Sequence, residues 1–124
     1  PSVAAYHLAF GPDGRLYVSA PGLASHDAIY AIDKSGNVEK FAVGFGRPQG
    51  LAFDREGNLY AAACYGGRHG IFQIPPDGLG IRQIAAGNNI VGLCFTRDGR
   101  MIAATNDAAF SIKADTWGTL LPRD

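Results

Sequence analysis

Few residues of this 124-residue chain combine a reactive type with a spacing that could support chemistry. Asn106 and Asp107, in ATNDAAF, offer carbonyl and carboxylate oxygens that could bind a metal or sugar hydroxyls, or could only cap a turn. Tyr65 and Arg68, in CYGGRHG, lie in a predicted loop and could hold a polar or anionic ligand, although a solvated arginine is the plainer interpretation. These pairs are the first ligand-binding candidates.

The other reactive residues are weaker candidates for a functional site. His26 and Asp27 are neighbours, a spacing that rarely gives a catalytic pair, and no G-x-S-x-G nucleophile elbow is present. Neither Cys64 nor Cys94 belongs to a C-x-x-C pair, so zinc is not indicated, and both are expected to be small buried hydrophobic residues. Trp117 is expected to anchor the C-terminal tail. The catalytic residues, if any, are therefore not identified from single motifs.

One phrase occurs three times along the chain. LAFGPDGRLYVSA begins at Leu8, LAFDREGNLYAAA at Leu51 and LCFTRDGRMIAAT at Leu93, with intervals of 43 and 42 positions. A near-constant period in the forties is typical of solenoids, propellers and other repeat folds. The chain is therefore predicted to consist of repeated units, approximately 6–46, 47–89 and 90–121, within one domain, 1–124.

Each unit is predicted to contain four short antiparallel strands. An acidic residue followed by glycine interrupts each copy of the phrase, and Gly14, Gly57 and Gly99 are expected to supply the positive φ of a tight hairpin turn. A second hairpin follows, with strands at AIYAID, GIFQI and AFSIK (28–33, 70–74 and 109–113). Four strands in about forty residues are typical of a β-propeller blade, so the fold class is all-β.

Paired apolar residues of the first strands are expected to pack one blade on the next. Propellers have about 4–8 blades, and three blades would leave an apolar face and a strand edge uncovered. A six-bladed ring would require a second copy of the chain or a missing N-terminal half. The packing residues are Leu8, Phe10, Leu51, Phe53, Leu93 and Phe95.

Composition argues against two classes of partner. Eleven basic residues balance eleven acidic ones, and a neutral chain lacks the long-range attraction to nucleic acid or an anionic membrane surface. No apolar run approaches the length of a membrane span and no charged-then-apolar leader opens the chain. A soluble protein is expected, in the cytoplasm or secreted.

The stretch RPQGLAFDREGNLYAAACYGGRHGIFQI, 47–74, resembles the blade phrase of the SMP-30/gluconolactonase/LRE-like family of six-bladed β-propellers. The resemblance extends, more weakly, over almost the whole chain, and would place it in the C-terminal half of such a protein. NHL-repeat proteins and the virginiamycin B lyase group share part of the phrase. The motif therefore indicates fold more strongly than function.

The resemblance implies hydrolysis of sugar lactones or similar esters with the help of a divalent cation, calcium, zinc or manganese. The family's aspartate and asparagine ligands fall on Gln49 and Tyr6, with His7 in place of a glycine, and the family's glutamate would precede Pro1. A neutral amide and a protonated phenol are weak ligands, and His7 could compensate. We expect Tyr6, His7 and Gln49 at one mouth of the channel, with Val91 at the matching position of the third unit.

Two functions follow. In the first, the chain is part of a lactone or ester hydrolase with a diverged metal site, and is inactive when alone. In the second, it is part of a non-catalytic NHL-like propeller that binds a protein or a small ligand at the channel mouth.

Overall fold

The computed structural model describes residues 7–19, 27–97 and 100–113. Tyr6, His26, Gly99 and Trp117 lie outside the described residues, so the predictions that fall on them are not addressed. Every regular element of the described segments is a β-strand, and these segments contain no helix long and apolar enough to cross a membrane. An all-β chain was predicted from the repeated hairpin phrase.

Ten strands follow one another with short connections. They are β1 (His7–Phe10), β2 (Leu16–Ser19), β3 (Asp27–Ile32), β4 (Val38–Phe53), β5 (Leu59–Tyr65), β6 (Arg68–Ile74), β7 (Arg82–Ala86), β8 (Ile90–Phe95), β9 (Arg100–Thr105) and β10 (Ala109–Lys113). β1 to β7 form one antiparallel sheet in chain order, and β8, β9 and β10 form a second. We call β1 to β3 with the start of β4 the first unit, the end of β4 with β5 to β7 the second unit, and β8 to β10 the third unit.

β4 differs from the prediction. The sequence predicted two separate strands on either side of GFGRPQ, but the structure continues one strand of 16 residues through this segment. Register shifts on both sides of Gln49 and a positive φ at Arg47 (49°) bend the strand without ending its pairing. Phe45 consequently pairs with Asp27 of β3 on one side and Tyr65 of β5 on the other. The first two units are therefore joined by hydrogen bonds as well as by packing.

The predicted hairpin turns are confirmed where they are described. Gly14 has φ of 83° and Gly57 has φ of 87°, conformations that favour glycine because it has no Cβ. The N–H of each glycine donates to the carbonyl three residues earlier, Gly11 and Asp54 respectively. In the second turn the Asp54 carboxylate also accepts from the backbone N–H and the side-chain amide of Asn58, at 2.9 Å each.

Two apolar clusters lie between the units. The first contains, among others, Tyr17, Ile29 and Ala31 of the first unit with Leu51, Leu59 and Ile74 of the second. The second contains Tyr60 and Ile71 of the second unit with Met101 and Ala103 of the third, and Leu93 and Phe95 pack against it. Blade-on-blade packing by Leu51, Phe53, Leu93 and Phe95 therefore agrees with the prediction.

One aromatic contact is repeated at both boundaries between units. The ring of Tyr17 meets that of Phe53 edge to face, with centroids 4.8 Å apart. The ring of Tyr60 meets that of Phe95 in the same manner at 5.2 Å. Each tyrosine occupies the same place in the repeated phrase, and each phenylalanine belongs to the first strand of the next unit. The boundary between units is thus a repeating interface.

The burial predicted for Cys64 and Cys94 is wrong, whereas the packing of Leu8 and Phe10 against another blade stays a prediction. Leu8 and Phe10 are 58% and 76% exposed, because no described part of the chain covers the side of β1 on which they lie. Cys94 is exposed and Cys64 half-buried, and both are free thiols. Cys94 lies between Leu93 and Phe95, which face the second cluster, and strand alternation therefore directs Cys94 to the opposite side of β8.

Candidate functional site

The bends between units and the turn that joins β5 to β6 lie at the same end of the strands. Phe45 and Gly46, in the bend of β4, pair with Tyr65 and Cys64 at the end of β5. At the next boundary the N–H of Gly87 donates to the carbonyl of His69, at 3.1 Å. Antiparallel strands bring these connections together, and we call this end of the structure the mouth end.

Gln49 is held in the bend of β4. It pairs with Ala62 between two register shifts and is half-buried. The following residue, Gly50, has φ of 66°, and a Cβ there would stand 2.9 Å from the Cα of Gly92. The backbone of β4 therefore approaches the backbone of β8 without space for a side chain. Val91 immediately precedes Gly92, so Gln49 in the bend of β4 and Val91 near the start of β8 lie on two strands that pack against each other.

Asp27 has a structural role that the sequence did not indicate. It belongs to β3 rather than to a loop, is only 6% exposed, and its Oδ2 accepts a hydrogen bond from the backbone N–H of Arg47 at 3.2 Å. Arg47 is one of two non-glycine residues with positive φ in the described segments. The Asp27 carboxylate thus fixes the bend that carries Gln49.

His7 begins β1 and pairs with Ser19 at the end of β2. It is half-buried, and β1 packs against β4. The Ser19 side chain is fully buried, and its hydroxyl has no hydrogen-bond partner among residues 7–19, 27–97 and 100–113. His7 and Gln49 are therefore on strands that pack together, whereas the placement of Tyr6 with them stays a prediction.

Tyr65 and Arg68 lie in strands, not in a loop. Gly66 and Gly67, with φ of 59° and 77°, form the whole turn, which is why the flanking residues remain paired across β5 and β6. The Tyr65 ring packs against Phe45 and Phe72, with centroids 4.9 and 5.5 Å away. Tyr65 therefore contributes to packing, and Arg68 is exposed beside it at the mouth end.

A cavity of about 570 Å³ lies between the second and third units. Asn106 and Asp107 line it together with Asn88 and Asn89 from the connection between β7 and β8. The sequence indicated the first pair but not the second, because the two segments are remote in the chain. Apolar residues, among them Ile71, Ala103 and Ile112, line the rest of the cavity.

The side chain of Thr105 caps the turn that contains Asn106 and Asp107. The hydroxyl of Thr105 accepts hydrogen bonds from the N–H groups of Asp107 and Ala108, at 3.2 and 3.1 Å. The Asn106 and Asp107 side chains are exposed. Amide and carboxylate groups beside an apolar wall suit a small ligand that has an apolar body and several hydroxyl groups.

No cluster of three or more His, Cys, Asp or Glu side chains arranged to hold a metal occurs within 7–19, 27–97 and 100–113. Gln49 contributes a neutral amide and His7 an imidazole, whereas hard divalent cations prefer several charged or carbonyl oxygens. The described donors at the mouth end therefore do not match the ligand set that the family resemblance implies.

Comparisons with known proteins identify the type of fold. No family profile matches the chain. A gluconolactonase of Zymomonas mobilis is 31% identical over 129 residues, which cover 90% of this chain and 35% of that protein. The structure is similar to a gluconolactonase of Xanthomonas campestris (TM-score 0.73, 20% identity, 94% of this chain and 46% of that one). It is also similar to virginiamycin B lyase of Staphylococcus aureus (TM-score 0.61, 16% identity, 91% and 42%).

These similarities establish a propeller-type fold. The chain spans about a third of the curated relative and less than half of each solved structure.

Proposed function

We propose that this chain, which belongs to the SMP-30/gluconolactonase-like family of β-propellers, is part of a hydrolase that acts on sugar lactones or related esters. The supporting observation is the 31% identity with a gluconolactonase along 90% of the chain. The chain matches only part of that protein, so the activity belongs to a larger assembly that contains these three units.

In this proposal the cavity between the second and third units binds the substrate. The apolar wall at Ile71 and Ala103 contacts the carbon skeleton, and Asn88, Asn106 and Asp107 donate to or accept from the hydroxyl groups. The Asp107 carboxylate can accept two hydrogen bonds from a diol. An amide oxygen would accept such hydrogen bonds less strongly. Binding at this rim would orient the lactone carbonyl toward the mouth.

His7 is the proposed proton acceptor at the mouth end. An imidazole can take up and release a proton near neutral pH. The attacking water would form a bond to the carbonyl carbon and transfer a proton to His7, which would return it to the departing ring oxygen. The described donors do not match a divalent-cation site, so we propose a diverged site and no step uses a metal held by these residues.

A non-catalytic propeller that binds a small ligand is the second candidate. The neutral amide of Gln49 at the position of a family ligand favours it, because an amide neither activates water nor holds a hard cation strongly. The same cavity would then bind a hydroxylated ligand without transforming it.

The test uses the complete assembly that contains these three units, and combines calorimetric binding of glucono-lactone and gluconate with a lactone hydrolysis assay, each with and without chelator. We expect Asp107→Asn to weaken binding by about tenfold, the effect of losing one charge-assisted hydrogen bond. Glu56→Gln makes the same carboxylate-to-amide change in an exposed turn at the other end of the strands, and it should leave binding unchanged.

Hydrolysis that His7→Gln abolishes while binding persists would support the hydrolase. Binding without turnover, with or without added calcium, zinc or manganese, would favour the second candidate. Absence of both binding and turnover would contradict both functions for this cavity.

A further inference from the structure

A set of polar residues that the proposed function does not use lies at the mouth end, where the first unit meets the second. It consists of Arg47, Tyr65 and Arg68, which we call the basic rim. We propose that the basic rim is a subsite for the carboxylate group of a sugar acid. The choice of a sugar rests on the proposed function, whereas the choice of a carboxylate rests on the charges and contacts of the rim.

Strand pairing directs Tyr65 and Arg68 to the same side of the second unit. They pair across the two-glycine turn between β5 and β6. Residues directly opposite each other in an antiparallel pair share one face, with Cβ atoms about 4.5–5.5 Å apart. The ring of Tyr65 packs against Phe45 and Phe72 of the first cluster, so this side faces the first unit. Arg68 therefore lies on the side of β6 that faces the first unit.

Arg47 brings a second guanidinium group to the same end of the strands. The preceding residue, Gly46, pairs with Cys64 at the end of β5, so Arg47 lies in the bend beside that strand. Arg47 and Arg68 are both exposed. The salt bridges within the described residues are both made by Arg15, at the opposite end of the strands. The two guanidinium groups at the mouth end are thus available to an anion from solution.

The backbone conformation of Arg47 is unfavourable for an arginine. Arg47 and Asn89 each stand four residues before the leucine that opens a copy of the repeated phrase, so they occupy the same place in the repeat. Both have positive φ, 49° and 60°. Asparagine adopts this conformation more readily than most residues with a Cβ, whereas arginine adopts it at a cost in free energy. Backbone strain of this kind concentrates at ligand-binding sites, and the group that arginine adds here is a guanidinium.

The boundary between the second and third units carries different groups at the same places. Counted from the first leucine of the repeated phrase, Tyr65 corresponds to Asp107 and Phe45 corresponds to Gly87. Asp107 and Gly87 line the cavity of that second boundary. At the first boundary the rings of Phe45 and Tyr65 pack together instead, with centroids 4.9 Å apart. The first boundary therefore offers positive charge above packed aromatic rings, which suits a small anionic group better than a carbon skeleton.

A carboxylate matches the donors of the basic rim. A guanidinium group donates two parallel hydrogen bonds in the geometry of a carboxylate, and such charged hydrogen bonds are about twice as strong as neutral ones. The phenol of Tyr65 can donate another. Opening of a lactone ring also creates a carboxylate, so this group could belong either to the substrate from the start or to the product of the proposed reaction.

The test measures binding to the complete assembly by calorimetry, with three probes. Glucuronate carries a carboxylate before any ring opening, gluconate carries the one that ring opening creates, and glucuronamide is the neutral counterpart. We expect at least one acid to bind about tenfold more tightly than the amide, through charge-assisted hydrogen bonds. The order of the two acids identifies the source of the carboxylate. The preference should fall as salt is added, because exposed charges are screened.

Substitutions in the basic rim should change this preference selectively. Arg47→Asn installs the residue of the equivalent position, which tolerates the same backbone conformation, and Arg68→Gln removes the other guanidinium. Each should lower the preference several-fold and leave glucuronamide binding unchanged, and the combined variant should lose the preference. Arg97→Gln is the matched control, because Arg97 is exposed in a turn at the opposite end of the strands. Asp107→Asn, in the cavity, should weaken acid and amide alike.

Tyr65→Phe keeps the ring that packs against Phe45 and removes only the phenol, so it should lower the preference less than either arginine substitution. Circular dichroism establishes that each variant is folded.

Equal affinities of the acids and the amide for the wild-type assembly would overturn the subsite and leave the proposed hydrolase unaffected. A preference that survives in the combined arginine variant, or that Arg97→Gln reduces equally, would also overturn it, as would the absence of binding by all three probes. A preference that depends on Arg47 and Arg68 in an assembly that hydrolyses no lactone would support the subsite and contradict the proposed function.

Discussion

The carboxylate of Asp27 accepts a hydrogen bond from the backbone N–H of Arg47, and so joins β3 to the bend of β4 across 20 positions of sequence. Arg47 has a left-handed backbone conformation, which costs free energy in a residue with a Cβ. The buried acid offsets that cost because its Oδ2 satisfies a backbone donor in the bend. The position of Gln49, two residues later, depends on this contact.

Replacement of Asp27 should therefore destabilise the fold. We expect Asp27→Ala to lower the free energy of unfolding by about 1–3 kcal/mol, since the Arg47 N–H loses its acceptor in a partly buried setting. Asp27→Asn keeps one carbonyl oxygen and should lose less. Urea denaturation measures both, with Asp77→Ala as the control, because Asp77 accepts a similar backbone bond in an exposed turn. Equal losses in Asp27→Ala and Asp77→Ala would argue against a special role of the bend.

Two glycines should differ in their tolerance of alanine. Gly57 and Gly50 both have positive φ, but a Cβ at Gly57 would meet only side-chain carbons of two prolines, at 3.4 and 3.6 Å. A Cβ at Gly50 would stand 2.9 Å from the backbone of Gly92. We expect Gly57→Ala to cost about 1 kcal/mol or more through its conformation. Gly50→Ala should cost more because β8 must also move.

Thermal denaturation of the two glycine variants measures these losses of stability. An unchanged melting temperature in Gly57→Ala would contradict the turn geometry. A smaller loss at Gly50 than at Gly57 would contradict the close approach of β4 and β8.

Stability should decline at alkaline pH because of Tyr17. Burial, followed by a hydrogen bond to Asp13, raises the pKa of Tyr17 from 10.0 to about 12. The folded state therefore favours the neutral phenol, so this contribution is complete below pH 10 and is lost as pH rises through about 12. Tyr17→Phe should be less stable at neutral pH and should decline less between these values.

Melting temperatures as a function of pH measure this effect. Tyr30→Phe is the matched control, since Tyr30 is half-buried on β3, and it should retain the alkaline decline of the wild type. A decline of the same size in Tyr17→Phe would assign the effect to other groups.

Local patterns predicted the strands well. The prediction for AFSIK coincides with β10, Ala109–Lys113, because alternation and a preceding turn are encoded by neighbours in sequence. The turn at Gly57 was predicted for the same reason. The continuity of β4 was not predicted. Its bend depends on a tertiary contact with Asp27, which is distant in sequence.

The candidate site was predictable only in part. Asn106 and Asp107 were identified from their position after a predicted strand, and they do line a cavity. Asn88 and Asn89 complete the same rim, but their approach depends on how closely the second and third units pack. A single sequence carries no direct signal of that distance.

Gln49→Asp tests the mouth end most directly. A carboxylate at this position restores the charged oxygen that the family resemblance implies, and divalent cations bind charged oxygens more strongly than amides. We expect weak or no calcium, manganese or zinc binding by the wild-type chain and stronger binding by Gln49→Asp, in calorimetric titrations of the assembled protein. Gln49→Asn is the control, because it shortens the side chain equally and adds no charge, so any gain confined to Gln49→Asp arises from the carboxylate. Tight binding by the wild type would show that other residues supply the ligands, and equal affinities of the Asp and Asn variants would place Gln49 away from any cation site.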